Sequence, residues 1–246
     1  YLTQLSSTSK YSTLKRRIAS IGILHKLKGH YLDTKHPIIV ENLMGIKRKF
    51  GINQKGKKPL LINDLKLIID VLDNTKGNIN KRLRDRAILL IGFSGGFRRS
   101  ELVNIDYEDL EFVNEGVKIF IKRSKTDQSG EGSIKAIPYF DNEIYCPVKT
   151  LKNWLNEEKI KTGKIFNVSD KTIALIIKKY SNLAGFDSNK YAGHSLRSGF
   201  ATSAAEAGAE ERSIMNMTGH KSTEMVRRYI KEANLFKNNA LNKIKF

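Results

Sequence analysis

Residues 193–230 read GHSLRSGFATSAAEAGAEERSIMNMTGHKSTEMVRRYI, and the fold follows from how this stretch is divided. His194 and Arg197 stand three apart, so on one helical turn they share a face. Gly208 and Gly219 fall where helices need to stop, because the residue past a last turn takes positive φ most easily as glycine. His220 follows Gly219, and Tyr229 lies nine residues further on. In one unbroken helix, steps of roughly 100° would carry Tyr229 about half a turn away from His220. The spacing therefore predicts a loop over 220–222 and a new helix from Thr223 that carries the tyrosine.

Working outward, helical patterns cover Ser198–Ala207 and Glu210–Met217 and, before them, Lys171–Leu183 and Val148–Glu158, with Trp154 in the core and Gly185 as another stop. Ahead of these the period changes to two. Val117–Arg123 (VKIFIKR) and Ile134–Tyr139 read as strands, with turns over 114–116 and 127–132, and Lys125 at the edge of the second turn. Leu65, Ile68, Ile69 and Leu72 mark one helix; Leu83, Ala87, Leu90 and Ile91 mark a second that is apolar nearly all round and stops at Ser94-Gly95-Gly96. The expected fold is mainly α with a small antiparallel β-sheet.

At the front, Ser12 is the expected cap of a helix over 13–28 with an apolar stripe of Leu14, Ile18, Ile21, Leu24 and Leu27. A second helix runs from Pro37 to Gly51. Two helices cannot bury a core alone, so either they pack on the main domain or the chain, which starts at Tyr1 and not at Met, is a fragment missing earlier helices. The segment 51–60 (GINQKGKKPL) reads as a linker. Its Gly51-x4-Gly56-Lys57 falls short of a phosphate loop, since Lys58 stands where a Ser or Thr is needed and no strand precedes it. The expected domains are 1–56 and 57–246.

The 246 residues carry 44 Lys plus Arg against 25 Asp plus Glu, a formal charge of +19 with pI near 9.9. Residues 1–58 alone hold 13 basic residues against two acids, Asp33 and Glu41. Such a balance points to a polyanionic partner, nucleic acid first and an acidic membrane surface second. No apolar run approaches the ~20 residues of a membrane span, and no signal-peptide pattern opens the chain. The single Cys146 excludes an internal disulfide and a cysteine zinc site, and it reads as an inert buried residue of a reducing compartment.

Each polar candidate has an ordinary structural reading. Arg98 and Glu101 make a surface ion pair worth under ~1 kcal/mol. Lys125 is a solvated turn lysine, His194 and Arg197 a hydrogen-bonded pair, and Tyr229 a half-buried helix tyrosine. His220 behind a helix-ending glycine answers the helix dipole. Taken together, however, they supply what is needed to move a phosphodiester without a metal. Tyrosine, with a pKa near ~10, is only about one part in a thousand ionised at neutral pH and needs activation. Two guanidinium forks suit two non-bridging oxygens, and a lysine can protonate the leaving hydroxyl. Metal routes lack their patterns: Asp106, Glu108, Asp109, Glu157, Glu158, Glu210 and Glu211 form no DxD, HxH or HExxH, and no GxSxG elbow occurs.

Five segments in order, SGGFRRSELVNIDYEDL (94–110), SKTD (124–127), CPVKTLKNWL (146–155), AGHSLRSGFATSAAEAGA (192–209) and TGHKSTEMVRRYI (218–230), resemble the tyrosine recombinases of the phage integrase family. The likeness covers almost all of 59–232. It implies that Arg98 and Arg197 are the paired phosphate arginines and Lys125 the general acid toward the 5′ oxygen. It makes His194 a proton-transfer and phosphate-contact residue, His220 a hydrogen-bonding stabiliser, and Tyr229 the nucleophile of a 3′-phosphotyrosyl link, with Glu101 buttressing the active-site helix. The residue beside Arg98 is often apolar in the family, where this chain has Arg99; the offset to Glu101 favours Arg98. The resemblance further implies a catalytic domain over 57–246, preceded by a partial helical DNA-clamp domain over 1–56. It implies no cofactor or metal, double-stranded DNA as partner, dimers to tetramers on DNA, accessory DNA-bending proteins, no membrane, and a cytoplasmic, nucleoid-associated location. In such proteins the tail beyond the tyrosine, here Leu235, Phe236, Leu241 and Ile244, docks on a neighbouring protomer. Two alternatives remain open at this point: relaxation of supercoils in the manner of a type IB topoisomerase, and DNA binding without catalysis.

Overall fold

A helical stretch that is apolar on every side has to be surrounded, and the second half of the helix Ile79–Ser94 is: every residue from Ala87 to Ser94 is buried. It lies at the centre of the larger of two compact units, Tyr1–Gly56 and Lys57–Phe246, in a computed structural model that describes residues 1–51, 56–122, 131–234, 236 and 239–244. Lys125, residues 52–55 of the linker and Leu235 of the tail lie outside the described residues.

The first unit holds α1 (Leu2–Leu5), α2 (Tyr11–Leu27) and α3 (Pro37–Phe50). α3 starts where Pro37 supplies a preset φ and the His36 ring accepts the Ile38 amide hydrogen, and it ends at Gly51 with φ 71°. α2 differs from expectation. It begins at Tyr11 with Lys10 as N-cap, so Ser12 lies inside the first turn and is not the N-cap. Only Leu14 and Ile46 of α2 and α3 are buried, while Leu24 and Leu27 of the expected stripe are 56% and 80% exposed. A three-helix unit this short has too little partner surface to cover the whole stripe.

The second unit runs α4 (Ile62–Asn74), α5 (Ile79–Ser94), α6 (Arg99–Leu102), β1 (Leu110–Val113), β2 (Gly116–Ile121), β3 (Ser133–Pro138), α7 (Pro147–Glu157), α8 (Asp170–Leu183), α9 (Ser195–Glu206), α10 (Glu211–Thr218) and α11 (Thr223–Ala233). α5 packs against α7 and α9, and α4 against α8. Their shared core includes Ile68, Leu72, Ile88, Ile91, Leu151, Ile177 and Trp154, whose indole N–H donates to the Ile165 carbonyl at 2.8 Å. Each such aliphatic side chain contributes about 1.5–3 kcal/mol on burial. Cys146 is buried, as expected, with its Sγ accepting the Phe140 amide at 3.4 Å.

The three strands form an antiparallel sheet in the order β1-β2-β3. β2 turns Val117, Ile119 and Ile121 inward and leaves Phe120 41% exposed. Its pairing with β3 sets Ile119 opposite Lys135 and Val117 opposite Ile137. The register therefore buries Lys135 with Ile137 and turns Ile134 out, since neighbouring strand residues alternate faces.

α9 begins at Ser195, three residues before the expected Ser198, so that His194 is its N-cap. α9, α10 and α11 close a second apolar cluster of Ala201, Ala205, Ile214, Val226 and Tyr229. Gly185, Gly208 and Gly219 all take positive φ beyond helix ends. α11 restarts where Ser222 accepts the Glu224 amide hydrogen. The His220–Ser222 loop and the new helix carrying Tyr229 stand where the spacing requires them.

Candidate active site

The site is assembled from three places: the turn after α5, the first turn of α9, and the segment from the end of α10 into α11. Phe97 fills the space beside Gly95, where an added Cβ would come within 2.0 Å of its ring. That close approach lets the chain reverse directly behind a buried helix and present Arg98 as the N-cap of α6. The backbone N–H of Arg98 donates to Glu101 Oε2 at 3.0 Å, and its guanidinium bonds Oε1 of the same carboxylate. Glu101 is 4% exposed, so this is a buried pair and not the surface pair of the ordinary reading. Burial alone would raise the Glu101 pKa. The Arg98 backbone and side-chain hydrogen bonds, with the charges of Lys135 and Arg98, outweigh burial and hold it below the usual carboxylate range. The other fork nitrogen of Arg98 reaches the Gly219 carbonyl at 3.4 Å, which ties the turn after α5 to the residue before His220.

Arg99 points elsewhere. It stands 3.8 Å from Asp170, and its side chain lies against Gly193. Of the two neighbours, Arg98 is the one that faces Glu101 and the His220 turn.

Arg197, on the first turn of α9, is 1% exposed. Its Nη1 donates to the Gly96 carbonyl at 2.9 Å, while Nε and Nη2 are buried without a partner among the described residues. A guanidinium buried with two nitrogens unmatched is costly unless something acidic completes it. Burial, and then the charge of Arg98, lowers its pKa to about 10, so it remains a cation at neutral pH.

The imidazoles are both neutral near pH 7. His194 is exposed as a residue, yet part of its ring is shielded. That desolvation, with Arg197, Arg98 and Arg99 behind it, holds its pKa below the imidazole norm. His220 is pushed down to about 4 by burial first and then by Arg197, Arg98, His194 and Lys135. The Thr218 hydroxyl donates to the Ile214 carbonyl at 2.6 Å and sits 2.8 Å from His220 Nδ1. With its hydrogen committed, that oxygen accepts from Nδ1–H, which leaves Nε2 unprotonated in the neutral ring. Gly219, at φ 63°, makes the left-handed turn that brings His220 back beside α11. The His220 and Tyr229 rings lie 6.1 Å apart at 35°. Tyr229 is 8% exposed; burial raises its pKa, Arg197 and Arg228 pull it down, and Glu232 adds a smaller upward push.

The structure thus brings Arg98, Glu101, Arg197, His194, His220 and Tyr229 into one electrostatically coupled cluster. It also adds a residue the sequence reading did not single out, Lys135. This lysine is 4% exposed on the inner face of β3, donates to the Gly95 carbonyl at 2.6 Å and the Met217 carbonyl at 2.5 Å, and lies 4.6 Å over the Phe97 ring. The available signal was strand pairing: Val117, Ile119 and Ile121 define the inner face of β2, and the partner of Ile119 shares it. Three cations against one carboxylate leave the cluster positive, with neutral imidazoles able to take up protons. Such a place suits an anion that develops further charge as it reacts.

Residues 60–235 match the model of the phage integrase family. The chain is 43% identical over 259 aligned residues to the integrase/recombinase xerD homolog of Selenomonas ruminantium, an alignment spanning 99% of this chain and 75% of that protein. It is 30% identical over 238 residues to a tyrosine recombinase of Agathobacter rectalis, covering 93% and 74% respectively. In fold it is similar to the XerH site-specific recombinase bound to palindromic difH substrate in a post-cleavage complex, with TM-score 0.73, 20% identity, and 97% and 70% of the two chains covered. The Tn1549 transposon integrase in complex with circular intermediate DNA is also similar, with TM-score 0.62, 16% identity and coverage of 93% and 78%.

Proposed function

The chain belongs to the phage integrase family of tyrosine recombinases, and from that premise we propose that Tyr229 cuts one strand of a specific DNA site and passes it to a partner strand. The Tyr229 hydroxyl attacks the scissile phosphorus and gives its proton to neutral His194. The phosphorus–5′-oxygen bond breaks as the phosphorus–tyrosine bond forms, and the 5′ oxygen takes a proton from Lys125. A 5′ hydroxyl from the partner strand then reverses the step. The bond energy is kept in the 3′-phosphotyrosyl link, so joining needs no nucleotide.

The single observation that carries this reading is the Arg197 fork, with Nε and Nη2 buried and unmatched among the described residues, beside Arg98, His220 and Tyr229. A phosphodiester has two non-bridging oxygens, the acceptors such a fork and Arg98 require. Glu101 holds Arg98, and His220 hydrogen-bonds the phosphate once protonated. Lys125 has its role by position in the SKTD segment.

Double-stranded DNA is the partner. The 11 basic residues of 1–56, against two acids, suit a front unit that grips the backbone, so that affinity falls steeply with salt. Dimers and then a four-protomer synapse bring two duplexes together. The exposed Phe236, Leu241 and Ile244 dock on a neighbouring protomer in that assembly. No helix among the described residues is long and apolar enough to cross a membrane. The place of action is the cytoplasm, on the nucleoid.

The test uses a nicked suicide substrate, in which the freed end diffuses away and the covalent intermediate accumulates. Protein-linked DNA on a denaturing gel supports the proposal, and tight binding without linkage contradicts it. Strand exchange that requires two matched sites identifies recombination; relaxation of a single supercoiled circle without them identifies the topoisomerase activity instead.

A further inference from the structure

Lys135 is a buried cation that the proposed strand transfer does not use, and its contacts are unusual in kind. It stands on the core face of β3, where an apolar residue packs with less desolvation cost. Its ammonium donates to two backbone carbonyls from separate parts of the chain, Gly95 in the turn after α5 and Met217 near the end of α10. Three residues beyond Gly95 comes Arg98, and three residues beyond Met217 comes His220. The remaining side of the ammonium lies over the Phe97 ring. A further bond crosses the same gap, from Arg98 to the Gly219 carbonyl, and Arg197 ties α9 to the turn after α5 through the Gly96 carbonyl.

We infer that Lys135 is a positioning residue for strand cleavage, one ammonium that fixes the Arg98 turn and the His220 turn in register with each other and with the sheet. The inference rests on the phosphotyrosyl reading above. Its logic is geometric. A carbonyl accepts most strongly from a charged donor, and one donor shared by two carbonyls sets the distance between them. Displacing either turn by about 1 Å would move a phosphate-holding group off its target, which costs on the order of 100-fold in rate. Lys135 thus ties to the sheet two turns that must act on one phosphate. Burial first, and with it the charges of Arg197 and Arg98, brings its pKa down to about 8 against the upward pull of Glu101, the charged groups that face the ammonium.

The experiment compares wild type, Lys135→Met and Lys135→Gln on two substrates, measuring DNA affinity, the single-turnover rate of covalent complex formation and thermal stability. One substrate is natural DNA; the other carries sulfur in place of the 5′ bridging oxygen, a leaving group that needs no proton. On natural DNA the variants are expected to bind within about threefold of wild type and cleave at least tenfold more slowly. The sulfur substrate is expected to leave that deficit in place. Restoration of the rate by sulfur would overturn the inference, because Lys135 would then be the proton donor itself. A folded variant that cleaves at the wild-type rate would also overturn it. Lys135→Gln retains a donor one atom short of the ammonium and keeps the comparison open if the methionine variant does not fold. Failure of wild type to form a covalent complex would instead remove the phosphotyrosyl reading.

Discussion

Replacing Arg197 by lysine keeps a positive charge at the centre of the site and removes the fork. In the structure one guanidinium nitrogen holds the Gly96 carbonyl at 2.9 Å, while Nε and Nη2 are buried and unmatched among the described residues. A lysine ammonium on the same backbone position offers one point of donation. Its hydrogens radiate from a single nitrogen, so it cannot supply the two parallel bonds of a planar fork to one phosphate. Hydrogen bonds to charged groups contribute about 1.5–3 kcal/mol each. Loss of one such bond, together with the misplacement that follows from releasing Gly96, amounts to about 3–4 kcal/mol in the transition state, or on the order of 10²–10³ in rate. Binding to the ground-state DNA, spread over many phosphates, should weaken less than about tenfold. The assay is single-turnover cleavage of a suicide substrate at saturating protein, with affinity measured separately. Cleavage by Arg197→Lys within fivefold of wild type would refute the reasoning, since charge alone would then suffice.

Three further outcomes follow from the same geometry. Because His220 is held near pKa 4 by burial and surrounding cations, a bound phosphate should raise its pKa, and DNA binding at pH 5–6 should take up a proton; calorimetry in buffers of different ionisation enthalpy measures it, and His220→Gln should abolish part of the uptake. Lys135 has a folded pKa of about 8 against 10.5 unfolded, so between those values the unfolded chain holds a proton that the folded chain lacks. Raising the pH through that window should therefore stabilise wild type relative to Lys135→Met, as denaturant titrations at pH 7.5 and 10 would register. Truncation after Asn234, one residue past α11, should leave cleavage of a single duplex intact and reduce assembly of the DNA-bound tetramer, seen by sedimentation; unchanged assembly would remove the tail from the interface.

What was legible from the sequence was what local chemistry controls. Gly185, Gly208 and Gly219 mark helix ends because each needs a positive φ, and Ser222 announces α11 by capping it. The break between His220 and Tyr229 followed from helix periodicity alone. The less legible features depend on tertiary context. Arg98 and Glu101 look like any surface pair until the burial of Glu101 is known. The start of α9 was placed at Ser198 because His194 provides no side-chain cap to mark Ser195. Lys135 was hidden by register: in SIKAIP the isoleucines at 134 and 137 fall on opposite faces, and pairing with Ile119 decides which one the lysine joins. Ser12 has the side chain of a cap, but the helix starts just ahead of it, with Lys10 two residues earlier as N-cap.

The central claim is that Tyr229 becomes covalently joined to DNA. The direct measurement is to trap the complex on a nicked site in the presence of EDTA, digest with trypsin and nuclease, and locate the nucleotide adduct by mass spectrometry. The account predicts a phosphonucleotide on the peptide that begins at Tyr229, and none from Tyr229→Phe. An adduct on any other residue, or undiminished adduct formation by Tyr229→Phe, would contradict it.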